Sequence, residues 1–205
     1  MNHKLRRLAL TFYPRSKCRH ISTYYLSSTF RHSYFQAYTF VRLASGTGAG
    51  NGPIISFHDG FAGATKWAGF LPGADRISLD LHPYLAFSTQ TSSPMSSLVS
   101  DPCTSWGSMI NQSMSAFGLT AAGEFSNAIN DCGLYVNGVG LGTRYEGTYP
   151  GYSTKVGDCS PWEDYSTWSQ SLKDSTKQFA MSSMDALQVS LFASPHPEQS
   201  VNHPG

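Results

Sequence analysis

The stretch Thr120-Ala121-Ala122-Gly123-Glu124-Phe125-Ser126 joins a run of small residues to one acidic residue and then to polar, turn-forming residues. This pattern predicts a short strand over residues 119–123 that ends at Glu124. A carboxylate at the carboxyl end of a strand is how an α/β barrel enzyme presents a catalytic group at its rim. Apolar walls on one side and polar partners on the other can adjust that carboxylate for nucleophilic or acid–base chemistry. Glu124 is therefore the first candidate catalytic residue.

Two earlier strand candidates also end in polar residues. Residues 54–57 lead into His58, and residues 76–82 end at His82 shortly before Tyr84. Helical spacing alternates with these strands over residues 34–43, 62–70, 101–117 and 166–187. Such alternation predicts a parallel sheet in an α/β fold. Three polar strand ends in succession fit the active rim of a barrel better than chance.

Several other motifs carry weaker signals. The glycine-rich run over residues 46–52 lies after a helix and before a strand, which is the wrong order for a phosphate-binding loop. No Gly-x-Ser-x-Gly elbow occurs, which argues against a serine hydrolase. A metal site from His58, His82 and Glu124 is conceivable, but its spacing is not diagnostic. Trp67, Phe87 and Trp106 could stack on sugar rings, although packing is their default role.

Residues 127–157 are rich in Gly, Asn and Tyr and predict a long irregular excursion. Long loops of this kind in compact domains are usually functional.

The composition restricts the class of protein. The 205 residues suit one domain, and charged residues make up 13%, about half the usual share. This composition is typical of a secreted protein that acts on carbohydrate. A net charge of +1 gives no reason to expect nucleic acid, no apolar run approaches membrane-spanning length, and no C-x-x-C pair indicates zinc. We expect no metal and no cofactor. Asn111-Gln112-Ser113 is a glycosylation sequon, which matters only in a secreted chain.

The amino-terminal segment differs from the rest of the chain. No acidic residue precedes Asp59, and half of the 14 Lys and Arg residues lie within residues 1–33. A basic segment without acids fits a transit peptide, a nucleic-acid-binding arm or non-native sequence. Residues 1–33 are therefore left unassigned and expected to be disordered, as is the aperiodic tail over residues 189–205.

Blocks of sequence in a fixed order carry a specific resemblance. They are Ile55-Ser56-Phe57-His58-Asp59-Gly60-Phe61, Asp80-Leu81-His82-Pro83-Tyr84, Ala122-Gly123-Glu124-Phe125-Ser126, Asn130-Asp131-Cys132, Asn137-Gly138-Val139, Arg144-Tyr145-Glu146-Gly147 and Gly157-Asp158-Cys159. Together they resemble the fungal exo-β-1,3-glucanases of glycoside hydrolase family 5. The resemblance covers residues 34–188, which it marks as part of a glycoside hydrolase barrel.

The resemblance implies a fold, a substrate and residue roles. It implies about strands five to seven of a TIM (β/α)8 barrel, in a monomeric, extracellular or cell-wall enzyme that hydrolyses β-1,3-glucan with retention. Glu124 resembles the nucleophile, and His82 and Tyr84 resemble residues that surround the sugar and orient that carboxylate. Phe87 resembles a phenylalanine that the family places at the entrance to the sugar site, and we expect His58 to belong to the substrate-binding set. Cys132 and Cys159 resemble a family disulfide.

The chain also departs from the family pattern. The acid/base glutamate of the family lies in an Asn-Glu-Pro motif, and that tripeptide is absent here. The first four strands and the last strand have no counterpart. We therefore hypothesise a truncated gene product or misplaced exon boundaries, and we expect an inactive chain. Two alternatives remain open, namely a non-catalytic β-glucan-binding fragment and a protein whose basic arm binds nucleic acid.

Overall fold

The computed structural model describes residues 23–44 and 46–188. Within these ranges the chain forms three strands, five α-helices and three further helical segments of the 3-10 or π type. The strands are β1 (Ile55–His58), β2 (Ile77–Leu81) and β3 (Thr120–Ala122). The α-helices are α1 (Thr23–Leu43), α2 (Met95–Leu98), α3 (Ser108–Ala116), α4 (Ser160–Glu163) and α5 (Gln170–Ala186). The further segments are 3-10 helices at Ala64–Trp67 and Tyr165–Thr167 and a π-helix at Pro102–Gly107.

The three strands form one parallel sheet with β2 in the centre. Ile55 lies opposite Ile77 on the β1 side, and Leu79 lies opposite Thr120 on the β3 side. All three carboxyl ends therefore meet at one edge, which we call the rim. The α/β prediction with parallel strands is confirmed, and each strand lies within one residue of its predicted start.

The core lies on one face of this sheet. Leu79 and Leu81 are 0% and 1% exposed, and they belong to a cluster that also contains Trp67, Ile110 and Phe179. Because side chains alternate along a strand, Ser78 and Asp80 point to the other face. Burial of each leucine stabilises the fold by about 1.5–3 kcal/mol, which makes this register costly to shift.

Helix α1 packs on the β1 side of this core. It begins at Thr23, so residues 23–33 are helical where the sequence analysis expected disorder. Phe30 stacks on Tyr34 at 6.0 Å and packs against the core, which extends the buried stripe by a full turn. The Tyr34 hydroxyl donates to the His58 carbonyl at 2.9 Å, and this bond fixes the helix against the end of β1. The remaining amino-terminal residues and the tail over 189–205 lie outside the described residues.

The predicted helix over residues 101–117 consists of two parts. A π-helical segment over Pro102–Gly107 precedes the regular helix α3. Inside α3, Ser113 is 2% exposed, and its hydroxyl lies 2.7 Å from that of Thr120. This buried pair ties α3 to the first residue of β3. Asn111 lies on the exposed side of the same helix rather than in a loop, and its glycosylation stays a prediction.

Residues 127–157 contain no helix and no strand, as predicted. Trp67 and Trp106, which the sequence offered as sugar-stacking candidates, are 1% and 6% exposed and belong to the core. Across the described part of the chain, no helix is both long enough and apolar enough to cross a bilayer.

Candidate functional site

Glu124 stands at the rim, two residues beyond the end of β3. Its side chain is 62% exposed. The Tyr84 hydroxyl donates to Glu124 Oε1, and His82 Nδ1 lies 3.7 Å from Glu124 Oε2. One phenol and one imidazole therefore face the two oxygens of a single accessible carboxylate, so the structure brings three of the sequence-predicted residues together.

The Asp80 carboxylate restrains the residues around Glu124 through two contacts. Its Oδ2 lies 3.2 Å from His82 Nε2, and its Oδ1 accepts a hydrogen bond of 2.7 Å from the Gly123 N–H. A Cβ atom on residue 123 would lie 2.4 Å from Asp80 Oδ1, so this approach requires glycine. One carboxylate thus restrains both the imidazole ring and the backbone that carries Glu124. The sequence analysis did not select Asp80, although it falls within a quoted block.

Replacement of Asp80 by Asn is expected to release the His82 ring. The amide offers one acceptor oxygen, so either Gly123 N–H or His82 Nε2–H must lose its partner. We expect the neutral His82 ring to change from a predominantly Nε2-protonated tautomer to a mixture, as measured by long-range ¹H–¹⁵N NMR of the histidine rings. Asp174→Asn on the exposed side of α5 is the control. An unchanged tautomer in the Asp80 variant would contradict the restraint.

Aromatic rings flank the carboxylate on both sides. The His58 and His82 rings lie 4.3 Å apart, and the Phe61 ring lies 4.9 Å from His58. On the other side, Phe87 lies 5.4 Å from Tyr84. Phe61 is 72% exposed and Phe87 is 49% exposed, so their faces are available to a ligand. The sequence analysis missed Phe61, for which its position directly after a polar strand end was the available signal.

His58 lies at the rim, and one of its two ring nitrogens makes a hydrogen bond. Its Nδ1 accepts a hydrogen bond of 3.0 Å from the Gly60 N–H, so the proton of the neutral ring is on Nε2. That Nε2 is buried and has no hydrogen-bond partner among the described residues. The neighbouring Asp59 carboxylate accepts from the backbone N–H groups of Phe61 and Gly63 and therefore shapes the turn.

Glu124 and its neighbours suit chemistry at a carboxylate and do not form a set of metal ligands. Within residues 23–44 and 46–188, no group of three His, Cys, Asp or Glu side chains is placed to hold a metal ion. The conceivable His58, His82 and Glu124 site is therefore not assembled as a metal site. An exposed carboxylate with a phenol donor and flanking aromatic rings can attack, or accept a proton from, a polar ring-shaped ligand.

The long loop that follows Glu124 is anchored by a buried carboxylate. Asp131 is 0% exposed and accepts hydrogen bonds from the backbone N–H groups of Arg144 and Tyr145 and from Asn137 Nδ2, at 2.8, 3.0 and 2.9 Å. The Arg144 guanidinium lies 3.3 Å away. Burial by itself raises the pKa of Asp131, but these hydrogen bonds and the Arg144 charge outweigh it and lower the pKa below its usual value.

A disulfide closes the same loop. Cys132 and Cys159 are bonded, with Cα atoms 5.2 Å apart and a sequence separation of 27 residues. The Cys159 N–H also donates to Glu146 Oε1 at 2.9 Å, so covalent and polar anchors coincide.

Loss of this disulfide is expected to destabilise the fold. A cross-link of this span stabilises a protein by about 3–4 kcal/mol, mainly by restricting the unfolded chain. We expect the free energy of unfolding of a Cys132→Ser/Cys159→Ser variant to be lower by that amount. Its urea midpoint should therefore fall. Cys103→Ser at the exposed free cysteine is the control. Equal urea midpoints for the double variant and the wild type would contradict the prediction.

Several curated proteins with similar sequences carry glucan 1,3-beta-glucosidase in their names. The chain is 32% identical over 147 residues to a glucan 1,3-beta-glucosidase of Lachancea kluyveri. It is 42% identical over 99 residues to a probable glucan 1,3-beta-glucosidase D of Aspergillus clavatus, and 32% identical over 143 residues to a sporulation-specific glucan 1,3-beta-glucosidase of Saccharomyces cerevisiae. These similarities support a glucanase family.

The glucanase similarity covers only part of each protein. The alignments include 68%, 46% and 66% of this chain, but 33%, 12% and 31% of the relatives from L. kluyveri, A. clavatus and S. cerevisiae, respectively. The chain thus spans a third or less of the length of these relatives. No protein-family model matches it.

Proposed function

We propose that this chain carries the nucleophile side of a β-1,3-glucan hydrolase of glycoside hydrolase family 5. The observation that carries this proposal is the contact of the Tyr84 hydroxyl and the His82 imidazole with the Glu124 carboxylate at the rim of a parallel sheet. The names of the similar curated proteins supply the substrate class. The sheet corresponds in this proposal to strands five to seven of a (β/α)8 barrel.

In the proposed reaction, Glu124 attacks the anomeric carbon of a terminal glucose unit. The bond to the leaving oxygen breaks, a glucosyl ester forms on the carboxylate, and water then hydrolyses this ester with net retention. The Tyr84 hydroxyl keeps Glu124 oriented for attack, and His82 is held beside it by Asp80. Phe61, His58 and Phe87 offer faces against which the apolar side of the sugar ring packs.

The acid/base partner is the missing component. A retaining glycosidase needs a second carboxyl group about 5–5.5 Å from the nucleophile, and it protonates the leaving oxygen. The Asn-Glu-Pro segment expected to supply it does not occur in the sequence. Loss of general acid–base assistance lowers the rate by about 10²–10⁴-fold. We therefore propose that these 205 residues alone do not hydrolyse laminarin at a useful rate.

A substrate that needs no acid tests the nucleophile separately. Dinitrophenyl β-glucoside has a leaving group that departs without protonation, so it can transfer glucose to Glu124 in the absence of the acid. We expect a burst of dinitrophenol equal to the protein concentration, a mass increase of one glucosyl unit on the peptide containing Glu124, and faster turnover with added azide. No burst and no adduct in folded protein would overturn the proposal.

A second candidate function is binding of β-glucan without cleavage. It is favoured by the exposed rings of Phe61 and Phe87, which flank the polar centre whether or not an acid is present. Calorimetric titration with laminari-oligosaccharides distinguishes the two. Binding without any burst on the activated glucoside supports the binding function, whereas no heat with any oligosaccharide removes it.

The setting of the protein follows from the proposed substrate. β-1,3-Glucan is a wall or storage polysaccharide, so we propose an extracellular or cell-wall location and action as a monomer. The disulfide between Cys132 and Cys159 agrees with an oxidising compartment.

A further inference from the structure

The sequence contains two Asn-Gly pairs, Asn51-Gly52 and Asn137-Gly138, that the proposed function does not use. In such a pair the backbone nitrogen of the glycine can attack the side-chain carbonyl carbon of the asparagine, because glycine has no Cβ to obstruct the approach. The two pairs share the same local chemistry but lie in different surroundings. The fold therefore decides which of them reacts.

Asn51 lies in the loop between α1 and β1, and its reacting groups are free. The residue is exposed, and its Nδ2 makes one long contact, of 3.4 Å, with the Ala49 carbonyl. Among the described residues, neither Asn51 Oδ1 nor the Gly52 N–H has a hydrogen-bond partner. The amide and the attacking nitrogen therefore do not have to give up a strong hydrogen bond before they meet.

The fold also requires glycine at position 52. The φ angle of Gly52 is +80°, in the left-handed region that residues with a side chain rarely adopt. A Cβ atom on this residue would lie 2.9 Å from the Thr47 Cβ. The residue that obstructs attack least is thus fixed directly after Asn51.

Asn137 is held by hydrogen bonds on both sides of its amide. Its Nδ2 donates to Asp131 Oδ2 at 2.9 Å, and its Oδ1 accepts from the Arg144 guanidinium at 2.7 Å. The Gly138 N–H, which would have to attack, donates to the Tyr135 carbonyl at 2.9 Å. Reaction at this pair requires that these bonds break first, so the folded chain protects it.

We propose that Asn51 is a modification site at which the folded chain deamidates itself. The Gly52 nitrogen forms a bond to Asn51 Cγ, the Cγ–Nδ2 bond breaks, and ammonia leaves with the proton of the former N–H. Water then opens the cyclic imide at either carbonyl and gives aspartate or isoaspartate. Water is the one co-reactant, and neither Glu124 nor the rim takes part.

The modification changes both the charge and the length of the main chain. The new carboxylate lowers the formal net charge by one, from +1 to zero, and proteins without net charge associate more readily. Isoaspartate also adds one main-chain atom between two anchored residues. Gly50 donates its N–H to Asp75 at 2.6 Å, and the Pro53 carbonyl accepts from Arg42 at 3.2 Å.

Peptide mapping of the folded chain during storage tests the site. Trypsin cleavage after Arg42 and Lys66 yields a peptide over residues 43–66 in which Asn51 is the one asparagine. After storage in mildly alkaline buffer, we expect this peptide to give two products with –OH in place of –NH2, one of them a substrate for isoaspartate methyltransferase. Asn51 should react at least about tenfold faster than Asn137, the factor that corresponds to the breaking of one or two hydrogen bonds.

Two controls separate the sequence from the fold. Asn51→Gln keeps an exposed amide but would need a less favourable six-membered ring, so its peptide should stay unmodified over the same time. The chain unfolded in urea loses the hydrogen bonds around Asn137, so both pairs should then react at similar rates.

Three results would overturn the proposal. The first is an unmodified 43–66 peptide in the folded chain after the urea-unfolded chain has been converted. The second is conversion of Asn137 in the folded chain as fast as that of Asn51, since selection by the fold is the basis of the proposal. The third is the same pair of products from the Asn51→Gln chain. None of these measurements involves glucan, so the proposed reaction at Glu124 is tested separately.

Discussion

Glu124→Gln is expected to eliminate the burst of dinitrophenol from dinitrophenyl β-glucoside, with a rate lower by on the order of 10⁴-fold or more. The substitution keeps the shape of the side chain and one oxygen that accepts from the Tyr84 hydroxyl. It removes the charged oxygen that attacks the anomeric carbon, and an amide cannot form the glucosyl ester. The loss therefore appears in the chemical step, while binding of oligosaccharides to the rim persists.

The control for this substitution is Asp174→Asn, which also converts a carboxylate to an amide but lies on the exposed side of α5. Its burst should equal that of the parent chain. Stopped-flow absorbance measures the burst, and mass spectrometry of the digested protein locates the adduct. An adduct on any residue other than Glu124, or a full burst from the Glu124→Gln chain, would refute the assignment of the nucleophile.

Asp131→Asn is expected to lower the free energy of unfolding by about 3 kcal/mol, since it leaves buried donors and the Arg144 charge without their acceptor. Asparagine retains one carbonyl oxygen, whereas the carboxylate accepts hydrogen bonds on both oxygens. A change of this size lowers the Tm of a domain of this length by about 10 °C. Thermal unfolding followed by circular dichroism measures it.

The same carboxylate makes stability depend on pH. Because the pKa of Asp131 is lower in the folded state than in the unfolded state, its contribution is complete above the unfolded value of about 3.9 and declines as the pH falls toward the folded value. The stability of the Asp131→Asn variant should therefore decline less than that of the wild type as the pH is lowered, because this contribution is already absent. Asp158→Asn, at an exposed carboxylate of the same loop, is the control and should change stability by less than about 1 kcal/mol. Equal destabilisation by both substitutions would contradict the anchoring role of Asp131.

The sheet and its polar edge were predictable because their signals are local. The strand positions follow from short apolar runs bounded by polar residues, and parallel pairing follows from the alternation with helices. Parallel pairing then implies that His58, His82 and Glu124 meet at one edge, as they do. The ordered blocks added candidate roles that no periodicity supplies.

Other features depend on contacts between residues far apart in the sequence. Asp80 joins the rim through the backbone of Gly123, which comes from another strand. The start of α1 depends on the packing of Phe30 against a core that forms later in the chain. Asp131 meets its donors 13 and 14 residues away across an irregular loop.

The flanks of the small sheet have a practical consequence for handling the protein. Within the described residues, β3 pairs on one side only, so its outer backbone amides and carbonyls can accept an additional strand, whereas α1 already bonds the His58 carbonyl at the outer side of β1. Concentrated preparations should therefore tend to self-associate by edge pairing. Fusion of a soluble partner, or a lysine placed on an outer strand, should lengthen the shelf life of a sample without altering the rim.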